Sequence, residues 1–189
     1  MEDKNKKLNE IITQENLEES IDKNIDFLIE TIPEIKNMIG FEHRHPHHIY
    51  DVWNHTKVAM KNSNPDLEIR MALLFHDIGK PFSYQDEEVR HFHGHPEVSN
   101  KMTEKILKRL NYDDEFIKRI CYLVQFHDTI IDMNEIDIKG ALVLKRLEVQ
   151  YADAKAHNPT KVQKRIDILD RIKEELEQKL KGKSKEERE

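Results

Sequence analysis

The chain has 189 residues but only one cysteine, five glycines and six prolines. A lone Cys121 cannot close an internal disulfide, and on an apolar helix face it reads as a small buried hydrophobe. No stretch has the apolar length of a membrane span or the pattern of a secretory leader, so a reducing cytoplasm is the expected compartment. Scarce glycine and proline, with few β-branched alternations, disfavour sheets and favour helices joined by short turns. Apolar residues make up only 37% of the chain. The shortfall lies mostly in the Lys/Glu-rich opening and the closing KGKSKEERE, where both ends are expected to fray, and the middle is ordinary globular sequence. A net charge of -6 argues against a general nucleic-acid binder but leaves room for a small basic site that holds a phosphate.

What is present is helical periodicity. The length suits one domain over residues 1–189 with one core, and neither an internal repeat nor a domain boundary is visible. A first helix is expected over about 5–31, with Leu8, Ile11, Ile12, Ile21, Ile25 and Leu28 as its stripe, packed outside the core. A His/Pro-rich turn at 43–47 leads to a helix over about 48–62, in which Asp51 and Trp53 read as structural. The next helix runs from Met71 to Asp77, stopped by Gly79 and Pro81. Past an irregular segment, Pro96 opens a helix buried through Val98, Met102, Ile106, Leu107 and Leu110. Helices follow over about 114–127, with Phe116, Ile117, Ile120, Cys121 and Val124 inward, and over about 138–156, with Leu142, Leu144, Leu147, Val149 and Ala152. After Pro159 a charged helix over about 160–181 turns Ile166, Leu169, Ile172 and Leu176 inward.

The most informative stretch is His76-Asp77 followed by Ile-Gly-Lys-Pro, because an adjacent imidazole and carboxylate at a helix end can both address one metal ion. His55, His95, His127 and Asp153 also lie at helical positions or helix ends. Four imidazoles and two carboxylates suit Mn, Fe, Co, Ni or Zn, and a carboxylate can bridge two ions. Wide spacing is compatible with a site assembled between facing helices. A lone histidine is more often a hydrogen-bonded core or surface residue, so the weight rests on the ensemble of motifs.

That ensemble is HPHHIYDVWNHT at 45–56, ALLFHDIGKP at 72–81, HFHGHPEVSNKMTEKILKRL at 91–110, ICYLVQFHD at 120–128 and YADAKAHNP at 151–159. It resembles the HD-domain metal-dependent phosphohydrolase superfamily, especially the HD region of bacterial CCA-adding tRNA nucleotidyltransferases, over residues 43–157. The resemblance implies an all-α HD-domain helical bundle with His55, His76, Asp77 and Asp153 on a first metal. It further implies His95 and His127 on a second, with Asp77 bridging. A Gly-Tyr-Pro motif downstream of the dyad, as in cyclic-dinucleotide HD enzymes, is absent. Lys80-Pro81-Phe82, just past the dyad, differs from the corresponding residues of HD nucleotide triphosphohydrolases and alarmone hydrolases. Residues 1–42 could not form a nucleotidyltransferase head, so CCA addition is not expected.

Such ligands permit metal-assisted hydrolysis, in which divalent ions bind a phosphoryl oxygen and acidify a water. Mg is a further possible ion. Asp77 would fix the spacing, and Lys80 could reach a phosphate oxygen beside the metals. Arg44, His48, Arg90 and Asp128 are weaker candidates for the mouth of the site, with Arg44 or Arg90 for a second phosphate. His91 and His93 can equally sit on a mobile loop, and His157, four residues past Asp153, is a marginal candidate. The resemblance implies a phosphodiesterase on nucleotides or RNA-end phosphates, including 2′,3′-cyclic nucleotides, with 2′-nucleotidase or phosphatase activity alongside. Two other classes share these features: a di-iron oxygenase of the inositol-oxygenase kind, and a metal-containing ligand-sensing module without turnover.

Overall fold

The computed structural model describes residues 3–186, and side chains as far as residue 182. Its regular structure is all α. The helices are α1 (Lys4–Ile12), α2 (Leu17–Lys23), α3 (Ile25–Thr31), α4 (Val52–Lys61), α5 (Leu67–Phe75), α6 (His95–Arg109), α7 (Asp114–Gln125), α8 (Glu135–Lys139), α9 (Ala141–Lys155) and α10 (Gln163–Glu186). Two short 3-10 helices, Pro33–Asn37 and Lys80–Phe82, complete them. Among the described residues the only extended pairings are isolated bridges from Glu42 to Asp51 and from Gln85 to His91. No described helix is long and apolar enough to cross a membrane.

Several helices start where short polar side chains can accept from the first free amides. Asp51 accepts from Asn54 N, Asp66 from Glu68 N and Ile69 N, and Asp113 from Phe116 N. The structural reading of Asp51 follows from that cap, and Trp53 is buried beside it.

The first 31 residues depart from the expected single helix. Thr13 Oγ1 donates to Asn9 O and Asn24 Nδ2 to Ser20 O. These local bonds lie where α1 and α2 end, an alternative to continued helix that short polar side chains favour. Nor does this segment lie outside the core. Leu8, Ile11, Ile12, Leu17, Ile21 and Leu28 are buried in the main apolar cluster, because three short helices can wrap a surface that one straight rod would only touch.

Other boundaries also shift. The segment before α4 is irregular to Asp51, and α5 begins at Leu67. The expected helix over 138–156 is split at Gly140, whose φ of 54° suits a residue without Cβ. Leu144, expected inward, is 37% exposed, and Val98 and Met102 are only partly buried. The charged final helix begins at Gln163 and runs through Glu186, so the tail expected to fray is helical that far; residues 187–189 lie outside the described part. Cys121 is half-buried and free.

Buried apolar side chains form two clusters rather than one. The larger joins α1 to α7 and part of α9 around α5, whose residues from Ile69 to Phe75 are all buried. The smaller joins Ile131, Ile136, Val143, Leu147 and Ala154 to Leu169, Ile172 and Leu176 of α10. Helix α5 is thus the axis, and its C-terminal end carries the His-Asp pair into the interior.

Arg70 ties the N-terminal layer to this axis. Buried on α5, it donates through Nη1 to Ile12 O at 2.8 Å and Gln14 O at 2.6 Å, satisfying carbonyls at and beyond the end of α1. Arg70→Met keeps the bulk and strands both carbonyls. It is expected to lower unfolding stability by about 2 kcal/mol, read as an earlier urea midpoint; an unchanged midpoint would mean that α1 docks without this tie.

Candidate metal centre and cleft

Four histidines converge on Asp77 from four parts of the fold: His55 from α4, His76 from the end of α5, His95 from the start of α6, and His127 just past α7. Each holds a main-chain carbonyl with Nδ1. His76 bonds Leu73 O at 2.6 Å, His95 bonds Phe92 O at 3.0 Å, His127 bonds Val124 O at 2.7 Å and His55 bonds Ala156 O at 3.3 Å. Leu73, Val124 and Ala156 lie at helix C-termini, where carbonyls lack intrahelical partners. Main-chain carbonyls, three of them at helix ends, therefore supply the acceptors, Nδ1 carries a proton, and every Nε2 faces inward.

The inward nitrogens fall into two sets. In one, His55 and His76 Nε2 are 3.3 Å apart, and Asp153 Oδ1 lies 2.9 Å from His55 and 3.5 Å from His76. In the other, His95 and His127 Nε2 are 3.2 Å apart. Asp77 stands between them. Its Oδ2 is 3.3 Å from His76 and 3.5 Å from His55, while Oδ1 is 3.3 Å from His95 and 3.9 Å from His127.

This arrangement fits metal ions on grounds of its own chemistry. Facing lone pairs about 3 Å apart repel unless a cation lies between them. Neither Asp77 oxygen, both buried, has a hydrogen bond of acceptable direction, although Lys80 Nζ makes an ion pair with Oδ2 at 2.7 Å. Buried carboxylate oxygens left this way are costly without a counter-charge. Three groups of side chains are close enough to share an ion: His55-His76-Asp77, Asp77-His95-His127, and His55-Asp153-His157.

The electrostatics agree. Burial works against charge on Asp77, but His76 and Lys80 outweigh it and hold the carboxyl well below its usual range. Burial likewise opposes ionised Asp153, yet Arg165, His157 and His55 keep it low. Burial disfavours the imidazolium of His76, but Asp77 and Asp153 raise it to about 10, so its Nε2 presents a lone pair only where a metal ion takes the place of that proton. His127 is pushed down to about 4, chiefly by burial and then by the charge on the neighbouring His76. The pocket thus attracts cations at one wall and resists a proton at the other.

Sequence reasoning missed two participants. His43 is buried and bonds Tyr50 O through Nδ1, leaving Nε2 3.1 Å from Lys80 Nζ. It bridges the His/Pro turn to Lys80, and burial with Lys80 nearby lowers it to about 4. Five histidines crowd residues 43–55, and nothing in the local pattern separates this one. Arg165 Nη2 bonds Asp153 Oδ2 at 2.9 Å from the first turn of α10, a helix whose alternating charges gave no reason to single it out.

A cleft of about 350 Å³ opens above Asp77 and Asp153. Lys80, Arg90 and Arg165 line it, with His48, His91, His93, His157 and Asp128. Lys80 is buried in a 3-10 turn rather than displayed on an open one. Arg44 does not reach the cleft: with a φ of 48° it turns away and bonds Asp86 at 2.8 Å. His48 stacks on His43 with ring centroids 3.6 Å apart, and burial depresses its protonation. His157 is lowered to about 4, burial outweighing Asp153. His48 and His157, on the inner rim, are therefore neutral donors and acceptors.

The sequence model of one family, the HD domain, matches residues 47–174. An A-adding tRNA nucleotidyltransferase of Deinococcus radiodurans is 35% identical over 105 residues, 51% of this chain and 24% of that protein. A CC-adding tRNA nucleotidyltransferase of Thermus thermophilus is 34% identical over 104 residues, again 51% and 24%. The matched region is thus about a quarter of the length of these relatives.

The turn that carries the dyad is held against α6 at close range. Gly79 N donates to Ser99 Oγ at 2.9 Å, and a Cβ at Gly79 would lie 2.6 Å from Ser99 N and 3.0 Å from His95 O. These are backbone atoms, so Gly79→Ala must push α6, and His95 with it, away from Asp77. The variant is expected to lose about 1–3 kcal/mol, while Ser99→Ala loses only about 1 kcal/mol from the missing hydrogen bond. Thermal unfolding of the pair measures the difference; equal melting would show that the turn tolerates separation.

Proposed function

This chain belongs to the HD domain family, and on that premise we propose that it is a metal-dependent phosphohydrolase acting on nucleotides or on phosphates at RNA ends. A 2′,3′-cyclic nucleotide is the test substrate of choice. The observation that carries the reading is Asp77, whose two buried oxygens face two separate histidine pairs at the floor of a cleft lined by three cations. We take residues 1–189 to act as one HD domain, and the relatives that add nucleotides to tRNA motivate the choice of RNA ends.

In this proposal His55, His76, Asp77 and Asp153 hold a first divalent ion, and His95, His127 and Asp77 a second. Four imidazoles among six donors suit Mn, Fe, Co, Ni or Zn better than Mg. When bound, such ions supply Lewis acidity toward a phosphoryl oxygen and toward a water. The protein's part is orientation and charge. Carbonyl-anchored Nδ1 atoms keep every Nε2 lone pair inward, and His43 and Lys80 brace Asp77 Oδ2 from the opposite side. Lys80 Nζ, at the cleft wall, adds positive charge where a phosphate gains negative charge in the transition state. The neutral rim histidines give the ester oxygens hydrogen-bonding partners without competing for the metal-side carboxylates.

Metal analysis of purified protein is expected to give up to two transition ions per chain. Hydrolysis of bis-p-nitrophenyl phosphate and 2′,3′-cAMP with added Mn, Co, Ni, Fe or Mg should be lost on chelation. Asp77→Ala is expected to remove at least one ion and to cut turnover by on the order of 10³-fold or more. His127→Ala should spare the ion of the first set. Metal-loaded protein that leaves every phosphoester intact, with Asp77→Ala indistinguishable from it, would sink the reading; oxygen uptake by iron-loaded protein would replace it with an oxygenase.

A further inference from the structure

We propose that Arg165, on the C-terminal helix, is a phosphate-binding residue of the cleft. The proposal rests on the hydrolase reading and names the group that grips the substrate's phosphate.

Asp153 divides its carboxylate between two neighbours. Oδ1 lies 2.9 Å from His55 Nε2, on the metal side, and Oδ2 takes a hydrogen bond from Arg165 Nη2 at 2.9 Å. That bond aims the guanidinium at the cleft, which it lines with its side chain 31% exposed. Among the described residues it is the one hydrogen bond of a group with five N–H donors. The remaining donors are free for a ligand.

The other two cleft cations are more fully committed. Lys80 is buried, paired with Asp77 and bonded to His43. Arg90 donates to Glu42 O and to Asp86, and its guanidinium lies over the rings of Phe41 and Tyr84. Arg165 therefore has the most donor capacity to offer an incoming anion. A planar guanidinium beside Asp153, one of the residues that would hold a metal ion, matches a phosphate, whose oxygens can take two parallel N–H bonds.

Its seat is rigid. The segment between α9 and α10 is pinned by Asn158, whose N donates to His47 O at 2.8 Å and whose Nδ2 donates to Pro46 O at 3.0 Å. Tyr151 OH on α9 donates to Asp170 on α10 at 2.6 Å. Leu169, Ile172 and Leu176 bury the inner face of α10 in the second apolar cluster. The last helix is thus part of the recognition surface and not only a solvated cover.

The test uses the full chain saturated with Mn2+, with metal content measured for every variant. Binding of inorganic phosphate is followed by calorimetry, and KM and kcat by bis-p-nitrophenyl phosphate hydrolysis. Arg165→Gln is expected to raise the phosphate Kd and KM by on the order of 10–100-fold at wild-type metal content, as for loss of charge-assisted bonds to an anion. Arg165→Lys, which keeps the charge and loses the fork, should recover part of the loss; exposed Arg171→Gln on the same helix should match wild type. Unchanged phosphate Kd and KM in Arg165→Gln overturn the proposal. So does a defect that excess metal fully repairs, because Arg165 then only steadies Asp153. If Arg165→Gln does not fold, a phosphate Kd for Arg165→Lys equal to wild type overturns it as well. Wild-type protein that binds no phosphate has the same effect. Arg165-dependent phosphate binding without hydrolysis of any ester would leave this inference standing and remove the hydrolase reading; hydrolysis insensitive to Arg165 would do the reverse.

Discussion

The buried carboxylate of Asp77 is the constraint around which the rest of the structure is arranged. A charge at that depth is tolerable only with opposing charge close by, and His76, Lys80 and the surrounding imidazoles supply it within 4 Å. Each neighbour is in turn fixed by a further group: a main-chain carbonyl for each histidine, His43 for Lys80, Arg165 for Asp153. Helix α5 is buried from Ile69 to Phe75, Arg70 included, and that burial is what carries the His-Asp pair into the interior.

Much of this was legible in the chain. The HD motif and its spacing named six residues that do gather within a few ångströms of one another, and the helix expected to end at Asp77 ends two residues earlier, at Phe75. Periodicity handled the isolated amphipathic helix α7 best, where Phe116, Ile117, Ile120 and Val124 are buried as expected. It failed where helices are short and wrapped: a stripe from Leu8 to Leu28 looks continuous in one dimension, yet Thr13 and Asn24 break it. Leu144 failed for another reason: Val143, Arg146, Leu147 and Gln150 take the buried face of α9, and Leu144 lies beside it.

The cleft was harder to read than its floor. Arg44 and Arg90 are far apart in the chain, equally basic and share Asp86 as a partner, yet Arg44, with its positive φ, stays out of the cleft that Arg90 lines. Arg165 belongs to a helix in which charged residues recur at every turn, so no local signal marks it. Contacts made by tertiary packing between distant helices leave no periodic trace, whereas ligands placed at helix ends do.

The bond between His55 and Asp153 spans 98 residues of chain. Closing so long a loop costs little more than closing one of half the length, but it requires that α4 and α9 already be docked against α5. The contact depends on α4, α5 and α9 packing against one another, as they do here. An ion seated there would act as a reversible cross-link between the two ends of the motif-bearing region, so that its occupancy reports the integrity of the whole tertiary structure and not of a local pocket.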